Sequence, residues 1–262
     1  MSLLAVDVGN AHTVMGLIAE GVVSRHWRVS TDLHRTADEW AVLLRGLLAR
    51  HMTEIDGIAV CSTVPAVTQA SREMLDRHFA DLPHLVVAPG VRTGISVLTD
   101  NPREVGTDRI VNSLAAATLY GGPAIIVDFG GTATTFDVVN SAGHYIGGAI
   151  APGIEISLEA LGRRGAQLRQ VEIVRPRTVI AKNTVEALQS GMVFGVAAQV
   201  EGIVERMIDE LGVEVDEVRV IATGYLADLV IAECECFTDT DPWLTLRGLE
   251  LVFQRNLPPS AR

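Results

Sequence analysis

The sequence predicts an α/β protein made of two similar domains. Apolar runs typical of strands alternate along the chain with segments whose apolar residues recur at helical spacing, which favours α/β layers. A strand–turn–strand pattern with an Asp before the turn occurs twice, around Asp7 and around Asp128. The 262 residues suffice for two modest domains with their own cores. We therefore expect domains at 1–118 and 119–262, each with a sheet flanked by helices, and a site in the cleft between them.

The two copies of the pattern are AVDVGNAHTVMGL at residues 5–17 and IVDFGGTATTFDV at residues 126–138. Their acidic residues, glycines and hydroxyl groups fall at comparable offsets, and a second turn and a third strand follow each copy. An internal duplication explains this. The alternative is that two β-hairpins share turn chemistry by chance, because Asp-x-Gly turns are common.

The remaining elements of the first half follow from periodicity and from helix start and stop signals. Thr36 precedes Ala-Asp-Glu and predicts a helix start, and the glycines at 121–122 predict a helix end. The predicted strands cover residues 3–8, 12–19, 55–64 and 84–89. Helices are predicted at 36–50 and 66–79, and the segment 104–122 is predicted to be a loop that leads into a long helix.

The second half repeats the alternation. After the strand–turn–strand pattern from residue 124, helices are predicted at 153–168, 182–212 and 244–256. Residues 217–233 read as a strand, a glycine turn and the start of a helix.

Composition restricts the partners and the compartment. The net charge of −11 argues against nucleic acid or an anionic membrane as the main partner. No run of apolar residues approaches the length of about 20 that a membrane helix needs. Asp7 comes too early for a signal peptide. The three cysteines, two of them in the sequence CEC at 234–236, predict free thiols in the cytoplasm and no transition metal.

The two Asp-x-Gly turns have the chemistry of phosphate loops. Backbone N–H groups around glycines and adjacent hydroxyls bind phosphate oxygens, and an Asp at the strand end holds a divalent cation that bridges them. No GxxxxGK[ST] sequence occurs in the chain, so neither turn is a Walker loop. The residues that fit are Asp7, Gly9, Asn10 and Thr13 in the first turn and Asp128, Gly130, Gly131, Thr132, Thr134 and Thr135 in the second.

Two further segments offer polar groups at predicted helix starts. Asp108, beside Arg109, could accept the proton of a hydroxyl during phosphoryl transfer, or it could cap a helix. Asn183 with Glu186 reads as an ordinary capping box. The exposed N–H groups there, with Thr184 and Lys182, could instead hold a substrate carboxylate.

Six segments occur along the chain in this order: AVDVGNAHTVMGL, NPREVGTDRIVNSLAA, IIVDFGGTATTFDVV, GGAIAPGI, KNTVEALQSG and IATG. Because of these six segments, the chain resembles the type III pantothenate kinases. These enzymes belong to the actin/sugar-kinase/Hsp70-like superfamily, so the resemblance implies two actin-like (ribonuclease H-like) domains. It covers residues 3 to 256. It implies transfer of phosphate from ATP to pantothenate, giving 4'-phosphopantothenate on the way to coenzyme A. It also implies Mg²⁺, a monovalent cation (K⁺ or NH₄⁺) and a homodimer.

The resemblance also implies roles for individual residues. Asp108 corresponds to the catalytic base, Asp128 to the monovalent-cation ligand, and Asp7 to a magnesium ligand. The residues that correspond to nucleotide contacts are Asp7, Val8, Gly9, Asn10, Ala11, His12, Thr13, Val14 and Thr132. The residues that correspond to pantothenate contacts are Gly106, Thr107, Asp108, Arg109 and Thr184.

Some positions depart from the family pattern. The second loop usually reads DFGTATTFD, and here it is DFGGTATTFD. A one-residue insertion would turn later side chains to the opposite face unless a bulge absorbs it. We expect the extra glycine to be looped out, with Thr132 keeping the role of the usual threonine. The other departures are Ala11, Thr99, Val196 and Tyr225, the last of which could crowd the adenosine region.

Three functions remain open at this point. The first is an active pantothenate kinase, which the retained acidic residues and the GTDR and KNT segments favour. The second is a catalytically weakened scaffold that acts as a binding or regulatory protein, which the inserted glycine and Ala11 favour. The third is a kinase of the same superfamily with another small hydroxyl compound as its substrate.

Overall fold

The structure is a computed structural model that describes residues 1–164 and 171–257. The chain forms two compact units. The first comprises Met1–Ala115 and the chain from Trp243 onward, and the second comprises Ala116–Pro242. Each unit contains one five-stranded mixed sheet with helices packed against it, which confirms the predicted α/β class.

The first unit is built on a sheet with the strand order β3-β2-β1-β4-β5. Strand β1 pairs antiparallel with β2 and parallel with β4. A two-residue turn joins β2 to β3, and its residues Glu20 and Gly21 both have positive φ, as a tight hairpin of this type requires. The elements are β1 (Leu3–Val8), β2 (His12–Ala19), β3 (Val22–Ser30), α1 (Ala37–Leu48), β4 (Gly57–Ser62), α2 (Pro65–His78), β5 (His84–Val86) and α3 (Thr107–Leu119).

The second unit has the strand order β10-β9-β6-β7-β8. Strand β6 pairs antiparallel with β7 and parallel with β9, as β1 does with β2 and β4. Read from β8, the order repeats that of the first sheet, so the fold confirms the predicted duplication. The elements are β6 (Ala124–Phe129), β7 (Ala133–Val139), β8 (Tyr145–Pro152), α4 (Ile154–Arg164), α5 (Thr184–Leu211), β9 (Arg219–Thr223), β10 (Asp239–Thr240) and α6 (Leu244–Asn256), the last of which belongs to the first unit.

Helix α6 packs on the first sheet. Its side chains Leu246, Leu249 and Phe253 are buried in one apolar cluster with Leu3 and Ala59 of that sheet. The domain limits expected from the sequence, 1–118 and 119–262, placed this helix with the second domain. Chain order alone cannot show that a terminal helix returns to an earlier sheet.

Helix α5 packs one face into the core of the second unit. Its 28 residues include an 18-residue window with a mean hydropathy of 1.3, so length and composition would allow it to cross a membrane, although the sequence analysis expected no such segment. That is weak evidence, because its side chains Val196, Val200 and Val204 are buried against Ile125 and Val220 of the sheet. Of the apolar window, 39% is buried inside the structure, so packing against the sheet accounts for one face of the helix.

Most predicted elements are confirmed within a few residues. Helix α1 begins after Thr36, whose side chain accepts a hydrogen bond from the Glu39 N–H in a capping box. The chain after β9 forms only short 3₁₀ turns where a helix was expected, at Ala227–Leu229 and Ile231–Glu233. Helix α4 is described to Arg164, and residues 165–168 of the predicted helix lie outside the described residues.

Candidate active site

The loop between β1 and β2 is a tight four-residue turn, residues 9–12, which we call the first loop. The pair Val8 and Thr13 closes it, and the Gly9 N–H donates to the His12 carbonyl oxygen at 3.0 Å. A Cβ at Gly9 would lie only 3.1 Å from that oxygen. Glycine is therefore suited to this position, and Asn10 and Ala11 form the tip of the turn.

The remaining predicted nucleotide contacts of this segment lie in the paired strands. Asp7 pairs with Val14 one step before the loop. Thr13 is fully buried, and its hydroxyl lies 2.9 Å from the Thr31 hydroxyl. Thr31 in turn donates to the Gly9 carbonyl oxygen at 2.8 Å and thus fixes the first loop from the end of β3.

Asp7 contacts a cysteine that the sequence analysis did not assign to the site. The Cys61 thiol on β4 donates to Asp7 Oδ1 at 3.2 Å. Burial raises the pKa of this thiol well above its usual value, and the negative charges of Asp7 and Asp108 raise it further. The thiol therefore stays protonated and acts as a donor to Asp7, and both carboxyl groups lie near it.

The segment 106–109 lies beside the carboxyl end of β4. The Thr107 hydroxyl donates to the Ser62 carbonyl oxygen at 3.1 Å. A Cβ at Gly106 would lie 2.5 Å from Asp108 Oδ1 and 3.6 Å from Thr63 Cγ2. Val8 of β1 pairs with Ser62, so this segment and the first loop occupy the same edge of the first sheet.

The carboxyl group of Asp108 has a buried oxygen and a raised pKa. Its Oδ1 atom is buried and has no hydrogen-bond partner among the described residues, although the residue keeps partial contact with solvent. Burial raises the pKa of this carboxyl, and the backbone N–H and guanidinium of Arg109 offset only part of the rise. A carboxylate with a raised pKa is a stronger proton acceptor.

Helix capping does not account for Asp108. The residue is the second of α3, not the one that precedes the helix, and Gly106 supplies the first helical carbonyl, which accepts from the Ile110 N–H at 3.1 Å. An N-cap Asp would accept a hydrogen bond from N–H groups two or three residues on. Within the described part of the chain, the Asp108 Oδ1 atom accepts no hydrogen bond, so it can accept one from another group.

The loop between β6 and β7, residues 130–133, is the second loop, and it has the same length as the first. Phe129 pairs with Thr134, and pairing is regular from there to Ala124 and Val139. Four residues thus separate the closing pair in both loops. The expected bulge is therefore wrong: Gly131 is part of the turn itself. Thr132 corresponds by position to Ala11.

Gly224 lies close against the end of β6. Gly224 follows β9 with φ +92°, and a Cβ there would lie 2.5 Å from Asp128 Oδ1 and 2.6 Å from the Phe129 nitrogen. The residue after it, Tyr225, donates its hydroxyl to Glu155 Oε2 at 2.7 Å. The tyrosine thus lies beside the second loop with its hydroxyl bound by the protein.

The second loop is bonded to the start of α4. The Gly153 N–H donates to the Thr132 carbonyl oxygen at 3.0 Å, and the Ile156 N–H donates to the Gly131 carbonyl oxygen at 3.2 Å. A Cβ at Gly153 would lie 2.5 Å from the Gly131 oxygen and 2.7 Å from the Gly130 oxygen. Only glycine permits this approach of the two backbones.

Thr184 is the first residue of α5 and is exposed. The residue before it, Asn183, is the N-cap and accepts from the Glu186 N–H at 2.9 Å. The Asn183 amide also donates to Glu186 Oε2 at 2.9 Å. This is the capping arrangement that the sequence analysis left open, and it leaves the Thr184 hydroxyl at the surface of the second unit.

The structure brings the predicted residues together in two groups. In the first unit, Asp7 and the first loop lie at the same sheet edge as residues 106–109. In the second unit, Asp128 and the second loop lie beside Gly224. The predicted Thr184 is at the start of α5. The sequence analysis did not assign several residues that contact these groups, among them Thr31, Cys61, Ser62, Gly153, Glu155, Ile156 and Gly224. The segment GGAIAPGI contains Gly153, so the resemblance could have indicated it.

Comparison with known proteins shows the family of the chain. The family model described as type III pantothenate kinase matches residues 3–206. The type III pantothenate kinase of Nocardioides sp. is 71% identical over 98% of this chain and 100% of its own length. That of Thermobifida fusca is 59% identical over 97% of this chain and 99% of its own.

Solved structures share the fold at low identity. A conserved protein from Campylobacter jejuni named for the Baf family of transcriptional activators has a TM-score of 0.60 and 16% identity, over 97% of this chain and 98% of its own. The activator of 2-hydroxyisocaproyl-CoA dehydratase from Clostridium difficile, solved with bound ADPNP, has a TM-score of 0.53 and 11% identity, over 97% and 95%. These likenesses show the fold alone. From the family model and the full-length identities, the chain belongs to the type III pantothenate kinase family.

Proposed function

We propose that this protein transfers the γ-phosphoryl group of ATP to the hydroxyl of pantothenate and forms 4'-phosphopantothenate, the first step towards coenzyme A. Membership of the kinase family supports this, and so do relatives of 55–71% identity that carry the name over full length. The observation that carries it is the Asp108 carboxyl group. A buried oxygen that has no hydrogen-bond partner among residues 1–164 and 171–257, in a carboxyl group with a raised pKa, suits a group that accepts a proton.

Asp108 would accept the proton of the substrate hydroxyl as the oxygen attacks the γ-phosphorus. The bond between the γ-phosphorus and the β,γ-bridging oxygen breaks, and ADP leaves with the electron pair of that bond. The neighbouring Arg109 supplies positive charge near the group in transfer. Gly106 and Thr107 fix the segment, the latter through its hydrogen bond to Ser62. Thr184 would bind pantothenate with its exposed hydroxyl.

The two loops would bind the phosphates of ATP. Their glycines direct backbone N–H groups into short turns, which is the arrangement that binds phosphate oxygens. The first loop supplies Gly9, Asn10, Ala11 and His12, with Asp7, Val8, Thr13 and Val14 in the strands that hold it. The second supplies Thr132. The dehydratase activator of the same fold was solved with ADPNP, which supports a nucleotide as the occupant.

The residues present fit a magnesium ion that arrives with the nucleotide. Among the described residues, no group of three or more His, Cys, Asp or Glu side chains could hold a metal alone. Magnesium is commonly bound by one or two carboxylates together with substrate phosphates, and Asp7 at the end of β1 offers one. When bound, magnesium would offset phosphate charge. Asp128, at the matching place in the second unit, would help bind a monovalent cation (K⁺ or NH₄⁺).

We further propose a cytoplasmic homodimer with no nucleic-acid or membrane partner. Supporting the dimer, the second unit exposes several large apolar side chains, which an interface with a second copy would remove from water. Ile180 is 85% exposed. The others in the described part of this unit are Leu119, Ile146, Ile150, Ile156, Leu161, Val174, Val179, Val185 and Val215. The acidic net charge supports the absence of nucleic acid.

The regulatory alternative finds no support. The curated relatives carry the kinase name, and the Campylobacter jejuni structure, whose name refers to transcription, is only 16% identical and shows the fold alone. The inserted glycine no longer argues for it either, because the two loops have equal lengths.

A coupled assay of ADP release tests the proposal, with ATP, magnesium and potassium present and pantothenate either added or omitted. We expect ADP release that depends on pantothenate and is lost in Asp108→Asn. Release that is independent of pantothenate, or that survives in Asp108→Asn at the rate of the wild-type protein, would contradict the proposal.

A further inference from the structure

The two loops are held by different means, although their backbones match. In the first unit, the Thr31 N–H donates to the Ala11 carbonyl oxygen at 2.9 Å, and in the second the Gly153 N–H donates to the Thr132 oxygen at 3.0 Å. Thr31 and Gly153 are therefore equivalent in position. Thr31 also has a hydroxyl, which donates to the Gly9 oxygen and meets Thr13. Gly153 has no side chain to do this.

The consequence is visible at the second loop. Thr134, the equivalent of Thr13, is fully buried, and its hydroxyl has no hydrogen-bond partner among the described residues. The hydroxyl that fixes the first loop from within thus has no counterpart in the described part of the second unit. A loop that binds phosphates needs a fixed backbone, because ordering its N–H donors during binding would lower its affinity for the phosphates.

A pair of hydrogen-bonded side chains lies against the second loop at Gly131. The Tyr225 hydroxyl donates to Glu155 Oε2 at 2.7 Å, and both atoms lie directly over Gly131. A Cβ at residue 131 would overlap both Tyr225 Oη and Glu155 Oε2. Their elements already bind the loop: the Leu226 N–H donates to the Phe129 oxygen at 3.4 Å, and the Ile156 N–H donates to the Gly131 oxygen.

We propose that Tyr225 and Glu155 are a positioning pair, which fixes the second loop for the phosphates of ATP and does there what the Thr31 hydroxyl does in the first unit. Gly131 and Tyr225, both departures from the family pattern, then belong together: the missing side chain at 131 makes room for the Tyr225–Glu155 hydrogen bond. The inference rests on the proposed function insofar as ATP is the occupant of the loop.

Binding of a non-hydrolysable ATP analogue, measured by calorimetry without pantothenate, tests this together with the KM for ATP. Tyr225→Phe and Glu155→Ala each remove the hydrogen bond. We expect each to raise the analogue Kd and the KM for ATP about threefold to tenfold, the usual net worth of one hydrogen bond. The KM for pantothenate at saturating ATP should stay within about twofold of the wild-type value.

The chain offers a matched control and a conservative variant. Tyr120→Phe removes a tyrosine hydroxyl of the same unit that donates to Asp241 Oδ2 at 3.0 Å, away from the loop, and we expect it to leave the analogue Kd unchanged. Glu155→Gln keeps an acceptor for Tyr225, so it should bind the analogue within about twofold of the wild type. A merely structural role would affect Tyr120→Phe and Tyr225→Phe alike.

Gly131→Ala gives an independent test, because the new methyl group must displace the Tyr225–Glu155 hydrogen bond. Gly131→Ala should raise the Kd of the analogue to the same extent as Tyr225→Phe. The double variant Gly131→Ala/Tyr225→Phe should have a Kd no higher than that of either single variant. Additive losses, or unchanged analogue binding in Tyr225→Phe and Glu155→Ala, would overturn the proposal.

The same measurements separate this inference from the proposed function. If the wild-type protein binds the analogue and the pair variants weaken it, but pantothenate is not phosphorylated, the positioning pair stands and the proposed function fails. If the wild-type protein does not bind the analogue, the positioning pair is overturned as well.

Discussion

Replacing Gly224 by Ala should destabilise the second unit and disturb Asp128. The residue has φ +92°, and its Cβ would lie 2.5 Å from Asp128 Oδ1, 2.6 Å from the Phe129 nitrogen and 2.7 Å from the Phe129 oxygen. Two of these atoms belong to the backbone of β6, which cannot move aside as a side-chain end can. The methyl group must therefore push the end of β6 and the Asp128 carboxylate away.

Two costs add up. A positive φ in a non-glycine residue costs about 1–3 kcal/mol, and forcing a methyl group into a packed site costs about 1–3 kcal/mol more. The sum is about 2–6 kcal/mol, a large part of the roughly 5–15 kcal/mol that stabilises a typical domain. At Gly90 (φ +97°) and Gly212 (φ +65°), a Cβ would have no other atom within 4 Å, so Ala at either position bears only the backbone cost.

Urea unfolding followed by circular dichroism measures these differences. All three tryptophans, at 27, 40 and 243, belong to the first unit. Tryptophan fluorescence therefore reports the unfolding of the first unit, where Gly90 lies, and does not report the unfolding of the second unit. Gly224→Ala should lose about 1–3 kcal/mol more than Gly212→Ala, the share assigned to the overlap. An equal loss in the two variants would refute the claim that Gly224 is required by the closeness of Asp128.

Four further predictions follow from the sites. Asp108→Asn should lower kcat at least about a hundredfold, the usual contribution of a general base. It should also raise the Tm at neutral pH: because burial raises the folded-state pKa of this carboxyl, its stabilising contribution is present in acid and is lost as the pH rises through that pKa. The gain should therefore shrink on acidification, and a Tm difference that grows in acid would contradict this. Sodium in place of potassium should lower turnover if Asp128 helps bind a monovalent cation, and equal rates would exclude that role. Deleting Gly131 should raise the KM for ATP at least about tenfold, because the turn would lose one of its four residues; an active enzyme would support the looped-out glycine that the sequence alone suggested. Ile180→Asp should lower the dimer fraction in light scattering, whereas Val42→Asp, at a 73% exposed position of the first unit, should not; a dimer that persists in Ile180→Asp would place the interface elsewhere.

Local patterns in the sequence predicted most of the fold. The hairpins around Asp7 and Asp128 have strong strand signals on both sides of a glycine turn, and the final helix was predicted with the bounds that the structure shows, Leu244–Asn256. The duplication could be predicted because both copies keep the acidic residue and the glycine turn. The equal length of the two loops could not be predicted, because it follows only from the pairing of Val8 with Thr13 and of Phe129 with Thr134.

Contacts between distant segments could not be predicted. The Cys61 thiol reaches Asp7 because β4 pairs in parallel with β1, and nothing near Cys61 in the sequence indicates a donor to a carboxylate. Tyr225 and Glu155 are 70 residues apart, and each looks ordinary alone. Glu250 on the last helix accepts the Gly21 N–H at 2.8 Å, a contact with the first sheet that chain order alone does not reveal.

The most direct test of the central claim is mass spectrometry of the product formed from ATP and pantothenate. The wild-type protein with magnesium and potassium should form 4'-phosphopantothenate in amounts equal to the ADP released. Asp108→Asn should form it at least about a hundredfold more slowly while keeping the Kd of the ATP analogue. Equal product formation by both proteins, or ADP release by the wild type without phosphorylated pantothenate, would contradict the assignment of Asp108 as the base and of pantothenate as the acceptor.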